Sequence, residues 1–408
     1  MADRAWERSR DAEMRAPAFK QVRYERILEA ALEILQDQEY EQIKVDDVAR
    51  HAEMAKATLY RYFASKDQVY AVVLRRWAER ELQRAVTSAE PGEVHACARA
   101  VIGAYERQPQ FFRLELLLST STEREVRAEM SALSARTRQL YARGFAACGV
   151  SSPYDAAVTL QALMRSFLTG VIIHEMPLST AHRRITRFID LCTAPESLTR
   201  TRPARSAEPP PRPAEDEKRS SAKQARRDLI VRVATEALAE QPYEQIHVSQ
   251  IAQRAQMAPG TLYRHFPSKD HLYAIVIREW FRTSRFLLPF DDLAPSERVR
   301  ARTSAALETF EAQPQFFLLN LLLYSAPDPA VHDVLAEVAS HAECLLAQDF
   351  HAAGVTDSYD ASVMLMAILH SLAQAALTYD TSFPEVHRIA DAFIALTTTA
   401  SRPGPTAP

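Results

Sequence analysis

The chain has 408 residues, 47% of them apolar and 25% charged, with a formal net charge of −3. That length suits two to four domains, and the near-neutral balance excludes a uniformly basic nucleic-acid coat while leaving room for a local basic surface. Eight glycines against plentiful Ala and Leu favour helix, where Ala and Leu lose little side-chain entropy and glycine loses much backbone entropy.

Residues 1–19 are expected to form a disordered tail. Ile27, Leu28, Ala31, Leu32 and Leu35 then line one face of a first helix. A short link over 38–44 leads to a second helix, carrying Val45, Val48, Ala49 and Ala52. Glu53 and Met54 form a break. Residues 55–62 make a third helix and Asp67 opens a fourth, running to about Thr87. These helices define an expected domain over 20–80. Longer helices over 93–107, 109–121, 123–148, 154–176 and 180–191 make a second domain over 81–193, and nothing alternates with period two long enough to suggest a sheet. Residues 194–222 contain EPPPRP and several basic residues, read as an extended tether.

The chain then repeats itself. Tyr40–Trp77 aligns with Tyr243–Trp280 without a gap, at an offset of 203 residues, and 22 of the 38 positions are identical. QPQFF at Gln108 returns at Gln313, and FAACGVSSPYDAAV at Phe145 returns as FHAAGVTDSYDASV at Phe350, both at an offset of 205. A period this long means two copies of a domain pair. The second pair is placed at 223–283 and 284–400, with a disordered tail at 401–408. The fold class is all-α.

Two short helices joined by a three- to four-residue turn are a helix-turn-helix, whose second helix enters the DNA major groove. Here that second helix is AKATLYRY, with Leu59 and Phe63 as its buried face and Ala55, Lys56, Thr58, Arg61 and Tyr62 exposed. Small residues at its N-terminus allow close approach to DNA, where the helix dipole favours a phosphate. Arg264 holds the position of Arg61 in the second copy.

The two stretches KVDDVARHAEMAKATLYRYFASKDQV and HVSQIAQRAQMAPGTLYRHFPSKDHL resemble the DNA-binding domain of the TetR family. That family's pattern runs Thr-Val-x-x-Ile-Ala, then Ala-Gly-Val-Ser-x-Gly-Thr-Leu-Tyr-x-Tyr-Phe-x-x-Lys-Glu-x-Leu. The resemblance implies that Thr58, Tyr60 and Lys66, and likewise Thr261, Tyr263 and Lys269, contact the DNA backbone. It implies base-side roles for Lys56, Ala57 and Tyr62, and for Pro259, Gly260 and His265. Lys20 and Arg23, with Lys223, Arg226 and Arg227, form arms that could reach phosphate or minor groove. Lys44 and His247 stand on the DNA side at the start of the second helix. Both copies depart from the pattern: the turn glycine is Glu53 or Gln256, and the capping threonine is Lys44 or His247.

The resemblance also implies that the later helices hold a ligand cavity and that the last two pair with a second subunit. VTLQALMRSFLTGVII and VMLMAILHSLAQAALT are apolar on nearly all faces, as bundle helices are. Arg165 and its counterpart His370 are ligand or interface groups, or side chains reaching the bundle edge. Phe111, Phe112, Phe316 and Phe317 line a pocket or pack the core. Asn320 is a further polar insertion in this apolar half.

Cys97, Cys148, Cys192 and Cys344 show no C-x-x-C spacing and read as free thiols in a reducing compartment. No signal peptide opens the chain, and Arg165 or His370 interrupts each longest apolar stretch, so no membrane helix is expected. No nucleophile elbow, P-loop or H-E-x-x-H motif occurs, and the histidines do not cluster; no catalytic residue, metal or cofactor is expected. The sequence thus points to a cytoplasmic, ligand-responsive regulator of transcription. Its partners would be double-stranded operator DNA and a small effector, with the two units paired within one chain or in a homodimer. The competing reading is a protein-interaction module with degenerate helix-turn-helix units.

Overall fold

The computed structural model describes residues 2–88, 94–193, 221–324, 326, 328–378 and 381–400, and no strand occurs among them. The expected tether lies outside the described residues as far as 220, and so does the tail at 401–408. Contacts divide the chain into two compact units, Met1–Ile189 and Asp190–Pro408.

The first unit runs α1 (Ala2–Asp37), a 3₁₀ turn at Tyr40–Gln42, α2 (Val45–His51), α3 (Lys56–Leu59), α4 (Lys66–Ser88), α5 (Val94–Arg107), α6 (Pro109–Leu118), α7 (Arg124–Ala147), α8 (Pro153–Ile173) and α9 (Leu178–Thr193). The N-terminal segment expected to be disordered is helical, continuous with α1. It is rich in Ala and Arg, which favour helix by propensity. Ile27, Ala31 and Leu35 are fully buried, and α1 packs on α2 and α4. The α4 helix also packs on α5, α6 and α7, so the helix that follows α3 is shared by the head and the regulatory half.

The second unit runs α10 (Ser221–Glu240), a 3₁₀ turn at Tyr243–Gln245, α11 (Val248–Arg254), α12 (Pro259–His265), α13 (Lys269–Arg282), a 3₁₀ turn at Arg285–Leu287, α14 (Pro295–Ala312), α15 (Pro314–Leu323), α16 (Pro329–Ala352), α17 (Ser358–Thr378) and α18 (Phe383–Ala400). It repeats the first unit with one clear difference. Where α4 continues to Ser88, α13 stops at Arg282 and the chain turns Phe286 into the interior. Arg302 holds that turn: it donates to the Phe286 carbonyl, and its Nε lies 2.7 Å from Asp349 Oδ2. Both charges are buried, a desolvation cost offset only because each is paired and hydrogen-bonded. The corresponding residues of the first unit are Cys97 and Gly144.

By length and composition alone, α8 and α17 are long and apolar enough to cross a bilayer despite Arg165 and His370. Their packing against α7 and α16 accounts for that apolarity: 50% and 56% of the two apolar windows are buried inside the units.

Candidate functional site

The turn between α2 and α3 closes on a left-handed residue. Glu53 has φ 51° and Gln256, between α11 and α12, has φ 52°. In each, two amides beyond the helix turn back to its last carbonyls: Met54 to Ala49 at 2.9 Å and Glu53 to Arg50 at 3.1 Å, then Met257 to Ala252 at 2.9 Å and Gln256 to Gln253 at 3.0 Å. This is the Schellman arrangement that glycine usually serves. A side chain there costs about 1 kcal/mol, and both copies carry it. The absent capping threonine is partly replaced from the other direction: Asp47 accepts from the Lys44 amide at 3.3 Å, and Gln250 from the His247 amide at 3.1 Å.

Beyond the turn, Leu59 and Phe63, like Leu262 and Phe266, are buried. Their burial fixes which side of each recognition helix faces outward. The α3 helix is regular only to Leu59 and continues to Phe63 through 3₁₀ turns, with Tyr62 donating to Leu59 at 2.9 Å. Ala55, Lys56, Ala57, Tyr60 and Arg61 are exposed, as are Pro259, Gly260, Tyr263 and Arg264. Tyr60 and Tyr263 keep 45% and 49% of their surface open, unusual for large aromatic side chains. Nothing lies within 4 Å of the place a Cβ would occupy on Gly260, so the fold does not require its smallness. Thr58, Tyr62, Thr261 and His265 are half-buried along the same helices.

The arms on the first helices come beside the recognition helices. His265 is made harder to protonate by burial and then by four cations near it, Lys223, Arg227, Arg226 and Arg264. Arg227 donates to the His265 carbonyl at 3.1 Å and covers the Phe266 ring. The matching positions of the first unit are Lys20, Tyr24, Arg23 and Arg61, with Lys20 exposed and Arg23 half-buried. Lys56 is tied to Asp46 at 3.1 Å, both side chains at least half exposed, a pair that water screens strongly and a phosphate or base can displace.

Two expected phosphate contacts lie elsewhere. Lys66 Nζ turns inward and donates to the Tyr40 and Ile43 carbonyls, each at 3.0 Å, 3.8 Å from the Tyr40 ring centre. Lys269 does the same at the Tyr243 carbonyl, at 2.6 Å. The Tyr40 and Tyr243 carbonyls already accept from the Ile43 and Ile246 amides at 3.2 and 3.1 Å, and the lysines add a second donor to each, with Lys66 also reaching the Ile43 carbonyl. Burial lowers the pKa of both. No local pattern signals this, because the partners are main-chain atoms 23 to 26 residues away.

Each head is also joined to its regulatory half through one serine. Ser65 accepts from the Gln68 amide at 3.0 Å and donates to Glu123, the residue preceding α7. Ser268 accepts from the His271 amide at 3.0 Å and donates to Asp328 Oδ2 at 3.2 Å, just before α16.

In the second unit, α13, α14, α15, α16, α17 and the Phe286 turn line a partly open cavity of about 50 Å³. Its walls are mostly apolar and no Asp, Glu, Lys or Arg lines it. Asn320 and His370 both line it. Phe316 and Phe317 do not; they are buried core, with Phe316 stacked on Trp280 at 5.6 Å. Phe111 and Phe112 are core as well, Phe111 lying flat on Trp77 at 4.2 Å. Arg165 donates to Ser119 Oγ at 2.6 Å.

Two helices at this spacing, the second with its outer face open, define each head as a helix-turn-helix. Residues 27–73 and 230–276 both match the family model of the bacterial regulatory proteins of the tetR family, so the chain carries the TetR N-terminal domain twice. Over 67 residues it is 37% identical to the HTH-type transcriptional repressor KstR of Rhodococcus jostii (strain RHA1), a match covering 16% of this chain and 32% of that protein. The match thus spans about a third of the curated relative. Among solved structures, a TetR transcriptional regulator from Rhodococcus sp. RHA1 aligns at 20% identity and TM-score 0.36, over 44% of this chain and 98% of its own. A second transcriptional regulator from Rhodococcus sp. Rha1 aligns at 18% identity and TM-score 0.37, over 44% and 99%.

Proposed function

We propose that this chain is a DNA-binding transcriptional repressor of TetR type that carries both reading heads in one polypeptide and works in the cytoplasm. The observation that carries the reading is the doubled outward face of the recognition helices. Each presents an exposed tyrosine and arginine at matching positions, and neither side chain contributes to the core. Phosphate contacts of this kind position a protein on the duplex, and the base-side residues then read sequence.

The heads differ at those base-side positions: Lys56 against Pro259, Ala57 against Gly260, Tyr62 against His265. Lysine donates to guanine acceptors and proline cannot, so the two half-sites differ and the operator is asymmetric. Two units in one chain supply what a homodimer supplies elsewhere, so the protein is a monomer of 45.9 kDa on this reading. A small, mostly apolar effector modulates DNA binding. The path from effector to head is short, because α13 both follows the recognition helix and walls the cavity through Ile277, Trp280 and Phe281.

The test is a gel shift on duplexes selected from a random library, run across a salt series. Specific binding that falls steeply with salt is expected, and Tyr60→Ala with Tyr263→Ala should weaken it at least tenfold with helical content unchanged. Full affinity in the double variant would overturn the assignment, and no salt-dependent binding at all would favour a protein-interaction module. A mass by light scattering twice that of the chain, or a palindromic selected site, would overturn the single-chain pairing alone.

A further inference from the structure

Several cavity-lining positions of the second unit have polar counterparts in the first, although others, such as Trp280 and Val338 against Trp77 and Leu133, stay apolar in both. Phe310, Asn320, Tyr324, Ala339, Met366 and His370 line the cavity. In the first unit these places are held by Tyr105, Glu115, Ser119, Ser134, Gln161 and Arg165. All six are polar there, and they bond to one another: Tyr105 donates to Glu115, Arg165 to Ser119 at 2.6 Å, and Gln161 to Ser134 Oγ at 3.1 Å. An apolar molecule entering this place would break those bonds and leave a carboxylate and a guanidinium without partners, which is expensive away from water.

The second unit has the opposite arrangement. Asn320 is 8% exposed, and its carboxamide makes no hydrogen bond to another described residue. His370 sits beside the Phe310–Phe317 pair, at 5.9 and 5.8 Å from the two rings and nearly parallel to both, and no other described residue hydrogen-bonds its ring nitrogens. Buried carboxamides and imidazoles are ordinarily satisfied. A carboxamide and an imidazole on the wall of one mostly apolar cavity, neither bonded to another described residue, mark where a bound molecule's polar group belongs. The wall holds no ionised carboxylate, ammonium or guanidinium to pair with a charge, and burial keeps the His370 ring neutral at pH 7. A charged ligand would therefore be left uncompensated.

Resting on the ligand-responsive reading above, we infer that the second unit alone senses the effector: its cavity takes one neutral, mainly apolar molecule per chain, whose single hydroxyl or carbonyl group is held by Asn320 and His370, while the first unit is closed by its own hydrogen bonds. Duplication has thus separated one sensing unit from one that holds its head in a fixed state.

Calorimetry on the full chain with 2-naphthol, naphthalene and 2-naphthoate tests this. The expected result is one 2-naphthol per chain, weaker binding of naphthalene and the weakest of 2-naphthoate. Quenching of Trp280 on binding should survive Trp77→Phe and vanish in Trp280→Phe. Asn320→Leu and His370→Phe should each weaken 2-naphthol about tenfold and leave naphthalene no weaker, which also shows that the cavity still folds. Two molecules per chain, 2-naphthoate binding as tightly as 2-naphthol, unchanged 2-naphthol affinity in both variants, or no binding by any of the three would each overturn the inference. No DNA is present in this experiment, so its failure leaves the gel-shift result standing, and failure of the gel shift leaves the stoichiometry and selectivity standing.

Discussion

Tyr24 lies flat on Phe63, ring centroids 5.0 Å apart and planes inclined by 20°. The matching pair in the second unit is Arg227 and Phe266, with the guanidinium 4.5 Å from the ring centre. Both pairs anchor a first helix to the end of a recognition helix, one by an apolar stack and the other by a cation over a ring. Tyr24→Ala should lower the stability of the first unit by about 1–2 kcal/mol, from lost burial and stacking. Arg227→Ala should cost about 1 kcal/mol, since it removes a cation–π contact and one hydrogen bond. Urea unfolding followed by circular dichroism measures both, and an unchanged midpoint for Tyr24→Ala would remove the anchor.

Gln256→Gly should stabilise the second unit by about 0.5–1 kcal/mol. Glycine relieves the left-handed strain, and its greater freedom in the unfolded chain takes back part of the gain. Glu53→Gly should gain slightly less, because it also removes an exposed pair with Arg26 worth a few tenths of a kcal/mol. Losses of stability in both variants would show that these turns carry no strain.

Lys66→Met and Lys269→Met separate an internal role from a phosphate contact. Removing the ammonium takes one donor from the Tyr40 and Ile43 carbonyls, or from the Tyr243 carbonyl, at a cost of about 1–2 kcal/mol, smaller for Lys269 because the Ile246 amide still donates to Tyr243. DNA affinity should fall through the loosened turn, but the slope of log affinity against log salt should stay the same. A slope lower by about 1 for each variant would mean that these lysines touch phosphate after all.

Acid should unfold the second unit before the first. Burial pushes His370 down to about 4 from an ordinary 6.5, and burial lowers His271 and His265 as well. Such a group is neutral in the fold and takes up a proton on unfolding, so its stability contribution is complete above pH 6.5 and is lost as pH falls toward 4. For His370 alone the loss approaches about 3 kcal/mol. The first unit has Arg165, Gln68 and Tyr62 at the three positions. His370→Gln should flatten the decline between pH 6.5 and 4, read as the urea midpoint against pH; an unaltered profile would mean that the ring is already solvated.

Much of this organisation was legible in the residues. The order of helices, the break at Glu53 and the burial of Leu59 and Phe63 follow from spacing alone, because a helix writes its period into its own sequence. What stayed hidden depends on side chains meeting across long separations. Lys66 finds carbonyls in a turn that precedes it by some 25 residues, and Arg302 finds Asp349 across 47. The cavity is a further case. Asn320 and His370 stand out as polar residues in apolar helices, but the space they face is what six elements leave unfilled, and no local pattern encodes a remainder. The phenylalanine pairs stay ambiguous in the sequence for the same reason: burial on a helix face looks alike whether the neighbour is Trp77 or empty space.

The left-handed residues of the two turns say something about history. Glu53 and Gln256 share a backbone conformation within 1° of φ, and Lys44 and His247 share the absence of a capping hydroxyl. Had the copies lost glycine separately, each would have passed through its own weakened head to reach the same departure at the same place. The simpler descent has a single-copy ancestor that already lived with the strained turn and passed it to both halves when the gene doubled. The contrast between an open wall around His370 and a sealed one around Arg165 belongs to a later chapter. The two halves kept their inherited flaw in common and parted company afterwards, in the place where a small molecule could tell them apart.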